Sequence, residues 1–110
     1  MVWNKAMDLA VIVYELVGSF PATERYGITS QLTRAVVSVP ANIAEGHARA
    51  GAREFAQFVS VAKGSLMEVE MYVMIAVRLG YVTQQAADTA LSLITEISKM
   101  LTALRKRLRT

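Results

Sequence analysis

Proline at position 40 stands inside a stretch whose apolar residues Leu32, Val36, Val39 and Ile43 recur at helical spacing. It lacks the amide proton that would bond the carbonyl of Val36, and its ring crowds that carbonyl, at a cost of about 3 kcal/mol in a helix interior. A second helix that keeps Pro40 is therefore expected to bend there. Ser38, Asn42 and Glu45 fall beside the bend at spacings of four and three, on one face. They line either a functional groove or a buried polar seam.

Helical periodicity extends along the whole chain. Asn4 offers an N-cap for a first helix over about residues 4–17, closed by Gly18-Ser19 and Phe20-Pro21. Thr29 offers one for the proline-bearing helix, about 29–47, and Gly51 precedes a long third helix, about 53–79, that stops at Gly80. Thr83 caps a fourth, about 83–108, in which Leu91, Ile94, Ile97, Leu101, Leu104 and Leu108 step by three and four. No segment alternates as a strand would. Four helices with short connections predict an all-α, up-down-up-down four-helix bundle in a single domain, 1–110.

Two helices carry more apolar surface than one such bundle can bury. The first has only Lys5, Asp8 and Glu15 as a polar stripe, and Met71 to Val77 in the third is seven apolar residues in succession. An ordinary surface helix is apolar over little more than 100° of its circumference. With a hydrophobic fraction of 54% in 110 residues, the chain is expected to associate with copies of itself.

The absence of cysteine removes disulfides, thiol nucleophiles and thiolate metal sites, and fits a cytoplasmic location. No apolar run reaches the ~18 residues of a membrane span, and Lys5, Asp8 and Glu15 interrupt the start as no signal peptide would. Twelve basic residues against nine acidic ones give a net charge of +3, which points towards polyanions. No nucleophile, base and orienting group stand together, so no enzyme activity is expected. Ser60-Val-Ala-Lys63 matches an S-x-x-K string without its companion motifs, and Glu68 and Glu70 diverge on their helix. His47 with Glu45 lacks the further ligands a metal needs, so neither metal nor cofactor is expected.

Ser38-Val-Pro-Ala-Asn-Ile-Ala-Glu-Gly46 resembles the hallmark of the four-helix-bundle proteins encoded in intervening sequences of bacterial 23S ribosomal RNA genes. The likeness continues upstream through Trp3 to Leu9, Phe20-Pro21, Glu24, Tyr26-Gly27, Thr29 to Leu32 and Arg34-Ala35. Downstream it takes in Glu54-Phe55, Phe58, Ala62, Gly64 to Leu66, Glu68, Glu70 and Leu79-Gly80-Tyr81. What the resemblance implies is a homopentamer without established catalytic activity. It also implies similarity to the accessory variability protein of diversity-generating retroelements, a basic pentamer that partners a reverse transcriptase and binds nucleic acid. Gly51 departs from the serine usual in the family, and glycine cannot make the side-chain bond of a capping box with Glu54. Pro40, Gly46 and Gly64 are the expected structural residues of the pattern.

Three groups of residues are candidates for binding. Arg105, Lys106, Arg107 and Arg109 end the fourth helix, where they either contact phosphates or complement the helix dipole. Arg49 and Arg53 flank the second connection as a smaller basic cluster. The third group is the seam of Ser38, Asn42 and Glu45, extended by Arg34 and its expected ion-pair partners Glu68 or Glu70 across a helical hairpin. That seam is either a groove for RNA or a small ligand, or a satisfied network fixing helix register. The favoured function is a homo-oligomeric scaffold whose basic surface binds ribosomal or other structured RNA, or a nucleic-acid-handling protein. The alternatives are a protein-binding adaptor with incidental charge and a small-molecule site at the proline.

Overall fold

The structure, a computed structural model, describes residues 1–109. Its elements are α1 (Val2–Leu16), α2 (Ile28–Ala48), α3 (Ala52–Arg78) and α4 (Gln84–Leu108), with single 3-10 turns at Val17–Ser19 and Ala22–Glu24. All four helices close on one core in which Leu9, Val36, Leu66, Ile94 and Leu101 are fully buried. The expected all-α four-helix bundle is what forms. Helices consecutive in the chain pack on one another, and α1 packs on α4, so α1 lies diagonal to α3 and α2 to α4.

Cross-helix pairs fix an antiparallel order. Ser38 of α2 meets Ser65 of α3, Lys63 of α3 meets Thr102 of α4, and Lys5 of α1 meets Glu96 of α4. Pro40 is buried within α2, which is helical on both sides of it. Near the end of α2 its backbone comes close to α3. A Cβ placed on Gly46 would lie 2.7 Å from Phe58 Cβ and 2.8 Å from Phe55 Cδ1. Glycine is required there, since the first of those atoms cannot swing away.

Two N-caps differ from the sequence expectation. α1 starts at Val2 with Met1 as its N-cap, and Lys5 N–H bonds the Met1 carbonyl, leaving Asn4 inside the first turn. Val2 packs against the core, and that burial outweighs the roughly 1 kcal/mol a side-chain cap is worth. α2 starts at Ile28 with Gly27 as its N-cap; the Glu24 carboxylate lies 3.5 Å from Ile28 N, so Thr29 is not the cap. The other end signals are local and hold. Thr83 Oγ1 accepts from Ala86 N–H at 3.0 Å, and Gly80 adopts φ +77°. Gly80 N–H bonds Val77 O while Tyr81 N–H bonds Ala76 O, closing α3 as a Schellman motif.

The first and third connections are tied together at that end. Tyr81 donates to Glu24 Oε2 at 2.6 Å, its ring packs on Phe20 with centroids 5.5 Å apart, and Ser19 Oγ donates to the Tyr81 carbonyl at 2.9 Å. The hydrogen bond to Glu24, with desolvation and the carboxylate's charge, raises the Tyr81 phenol above its ordinary value.

The apolar excess is left on two faces. On α1, Trp3, Met7, Val11 and Tyr14 form an exposed stripe; on α3, Met67, Met71, Met74 and Ile75 form another. Within Met71 to Val77 only Val73 and Ala76 are buried, so the protomer alone does not enclose that run. The two stripes sit on diagonally opposed helices.

Two glycines of the sequence pattern therefore call for opposite outcomes on substitution. Gly46→Ala should destabilise the fold by up to about 2 kcal/mol, because overpacking against Phe55 and Phe58 exceeds the gain in helix propensity. Gly64 has open space around its Cβ position, so Gly64→Ala should add about 0.5–1 kcal/mol. Denaturant titration of both variants checks this; losses of equal size at the two positions would refute it.

Candidate nucleic-acid interface

Leu101, Leu104 and Leu108 turn one face of α4 to the core. Their inward orientation leaves Arg105 and Arg109, one turn apart, on the side next to α3. On α3, burial of Ala56 and Val59 leaves Arg53, Gln57 and Ser60 on the side next to α4. The result is a cleft of about 470 Å³ lined by Arg53, Gln57, Ser60, Arg105 and Arg109 over a floor that includes Ala56 and Leu108. The two basic clusters of the sequence thus meet in one place, although about fifty residues of chain separate them.

Among the described residues, ion pairs join Lys5 to Glu96 at 2.9 Å and Arg49 to Glu45 at 4.0 Å, and none engages Arg53, Arg105 or Arg109. Three uncompensated guanidinium groups around one cleft create a local positive field for an anion. One turn beyond Ser60 on α3, Lys63 Nζ donates to Thr102 Oγ1 of α4 at 2.8 Å. Arg49 lies across the α2–α3 connection, its guanidinium 5.1 Å from the Phe58 ring centroid. Lys106 and Arg107 are exposed on the outer turns of α4. The molecule is 44 Å long, and its cations are concentrated at this end; Glu15, Glu24 and Asp88 stand towards the other, with Arg25 and Arg78.

The polar seam takes a different form. Asn42 Nδ2 donates to the Ser38 carbonyl at 2.8 Å and to Ser38 Oγ at 2.9 Å, and Ser38 Oγ shares a 2.8 Å hydrogen bond with Ser65 Oγ. These bonds stay within α2 and α3 and hold the two helices in register. Ser65, the one buried polar residue among those described, lies in the Gly64 to Leu66 part of the resemblance but outside the seam expected from the sequence. Its place among the buried residues Ala62, Leu66 and Val69 is the available signal.

The expected pairing of Arg34 with Glu68 or Glu70 does not form. The Ser38–Ser65 contact puts Arg34 level with Val69, whose side chain is buried, while Arg34 and Glu68 both face outward. Glu70 instead lines a cleft with Leu91 and Thr95 on the α4 side. Glu45, one turn beyond Asn42, is exposed and among the described residues meets only Arg49.

A second cavity of about 470 Å³ opens at the same end of the bundle, formed mainly by Trp3, Ile43, His47, Phe55 and Leu104. His47 packs edge-on to Phe55, with centroids 5.8 Å apart and an interplanar angle of 88°. The sequence brings in Phe55 only through the family resemblance and His47 only as a metal ligand without companions, because the cavity draws on all four helices.

A model of the 23S rRNA-intervening sequence protein family matches residues 1–103. The chain belongs to this family. In three dimensions it is similar to a crystal structure of a protein of unknown function from the S23 ribosomal protein family of Bacteroides thetaiotaomicron. The TM-score is 0.86 at 23% identity, over 96% of this chain and 99% of that one, a likeness of fold. No curated protein matches the chain. Arg105, Lys106, Arg107 and Arg109 lie beyond the residues matched by the family model, so the part of Arg105 and Arg109 in the cleft rests on geometry alone.

The seam is open to a double-mutant cycle. Asn42→Ala should cost about 1 kcal/mol or more, and Asn42 and Ser65 should couple through Ser38 by roughly 0.5–1 kcal/mol. Strictly additive losses in equilibrium unfolding would show that the three side chains do not act as a network.

Proposed function

We propose that this protein is a non-catalytic, self-associating scaffold whose basic end binds structured RNA. The convergence of Arg53 with Arg105 and Arg109 across one cleft carries the reading. Arginine suits this role because its planar donors match phosphate oxygens and its charge persists at any physiological pH. Phosphate contacts of this kind give affinity that depends strongly on salt and weakly on sequence. Family membership supplies context only, since an rRNA gene as genomic setting does not make rRNA a ligand. A protein-binding adaptor is the competing reading, and salt separates the two.

Affinity for a structured ribosomal RNA fragment should fall steeply as salt rises. Each of Arg53→Gln, Arg105→Gln and Arg109→Gln removes one cation from the phosphate-facing cleft. Each should therefore reduce the magnitude of the log–log salt slope by about one unit. Fluorescence anisotropy at several salt concentrations, with melting curves confirming the fold of each variant, makes the test. Binding that ignores both salt and these arginines would overturn the RNA reading in favour of an adaptor.

Self-association is supported by the two exposed stripes. Because they lie on diagonally opposed helices, a copy's α1 stripe can meet its neighbour's α3 stripe without either stripe meeting its own kind. Head-to-tail association of that type generates closed rings when the rotation closes. The homopentamer implied by the sequence resemblance is one such ring. Met74→Lys, a charge in the centre of the α3 stripe, should convert the assembly to single chains that still melt cooperatively. Light scattering reads this directly; an unchanged mass would refute the role of the stripe.

A further inference from the structure

The exposed faces of α1 and α3 share one spacing. Trp3, Met7, Val11 and Tyr14 step by four, four and three along α1. Met67, Met71, Ile75 and Arg78 step in the same way along α3. The two helices also run in the same direction, since each packs antiparallel on α4. Their relative heights follow from their contacts with α4. Lys5 Nζ meets Glu96, and Lys63 Nζ donates to Thr102. Glu96 stands about six residues before Thr102, roughly 9 Å along the helix. On the antiparallel α3 the same rise leads from Lys63 to the neighbourhood of Val69, so Lys5 and Val69 stand level to within about a turn. By that measure Met7 is level with Met71, Val11 with Ile75 and Tyr14 with Arg78.

A copy rotated about an axis parallel to the long dimension of the molecule therefore brings its α1 stripe against the α3 stripe without sliding along that axis. Zero slide allows a ring to close, whereas a slide repeated at each contact grows a helical filament. Charge agrees with this placement. Glu15 borders its stripe on the side next to α4, where it lines a cleft with Gln84 and Ala86. Arg78 likewise borders its stripe next to α4, lining a cleft with Gln84 and Leu91. Among the described residues neither has an ion-pair partner in its own chain. Rotation keeps the α4 sides of successive copies on one side of the contact, so Glu15 of one copy faces Arg78 of the next. Asp8, lower on the same edge, comes level with Tyr72 near the acidic Glu70, which confines the attraction to the Tyr81 end. We infer that a second copy lays its α1 along α3, parallel and level, with Glu15 paired to Arg78 across the contact. This rests on the self-association proposed above and specifies its geometry. It also turns every arginine cleft of the assembly the same way, so that one RNA can engage several at once.

The chain has no cysteine, so introduced pairs report contacts between copies without background. Val11→Cys combined with Ile75→Cys should, on mild oxidation, link chains into a ladder that stops at the size of the intact assembly. Val11→Cys combined with Met67→Cys, displaced by about two turns, should not link. Linking by the displaced pair, linking by Val11→Cys alone, or linking by none would overturn the geometry and leave self-association standing. Glu15→Arg and Arg78→Glu should each raise the concentration at which the assembly dissociates by about threefold to tenfold, and the double variant should restore it. Sedimentation equilibrium reads this, with melting curves to confirm the fold of each variant. A double variant that assembles no better than the singles would overturn the ion pair. Single chains of the unaltered protein at micromolar concentration would overturn both this geometry and the self-association beneath it.

Discussion

The close approach of α2 to α3 at Gly46 sets the geometry of the end on which the proposed activity depends. With no side chain at that position, Phe55 and Phe58 lie directly against the α2 backbone. Phe55 thereby reaches His47 on one side of the hairpin, and Phe58 is placed under the Arg49 guanidinium. Higher up the same pair of helices, the Ser38–Asn42–Ser65 bonds fix the axial offset. Glycine sets the separation and the hydroxyl network sets the register. Together they determine where the first turn of α3 stands, and with it Arg53.

That division of labour explains why the hallmark stretch from Ser38 to Gly46 is so rich in special residues without forming a catalytic centre. Ser38 and Asn42 spend their hydrogen bonds inside the hairpin, and Gly46 admits the phenylalanines. A buried polar network confers register more readily than net stability. The proposed binding surface is displaced from the hallmark by one helical connection, at the start of α3 and the end of α4.

What is legible in the sequence is what is local. The Gly80 stop, the Thr83 cap and the heptad-like seam of α4 each depend on residues within one or two turns. Asn4 and Thr29 fail as caps because packing of Val2 and the placement of Glu24 move the helix starts. The Arg34 pairing fails for a related reason: loop length bounds the offset of a hairpin, whereas a specific pair such as Ser38–Ser65 sets it. Joining Arg53 to Arg105 and Arg109 requires knowing that α3 and α4 are adjacent and antiparallel at those turns. Each cluster looks like ordinary helix-end charge in isolation.

The two ends of the bundle are held differently. At one end Tyr81 ties two separate connections together through Glu24, Phe20 and Ser19. At the other, the single crossing connection ends in Gly51, which caps α3 with no side-chain hydrogen bond. Local opening should therefore become cheaper along the long axis, with amide protection high near Tyr81 and lowest around residues 49–53. Any ligand held at the basic end would draw its largest change in hydrogen exchange from the turns beside it, and leave the latched end almost as it was.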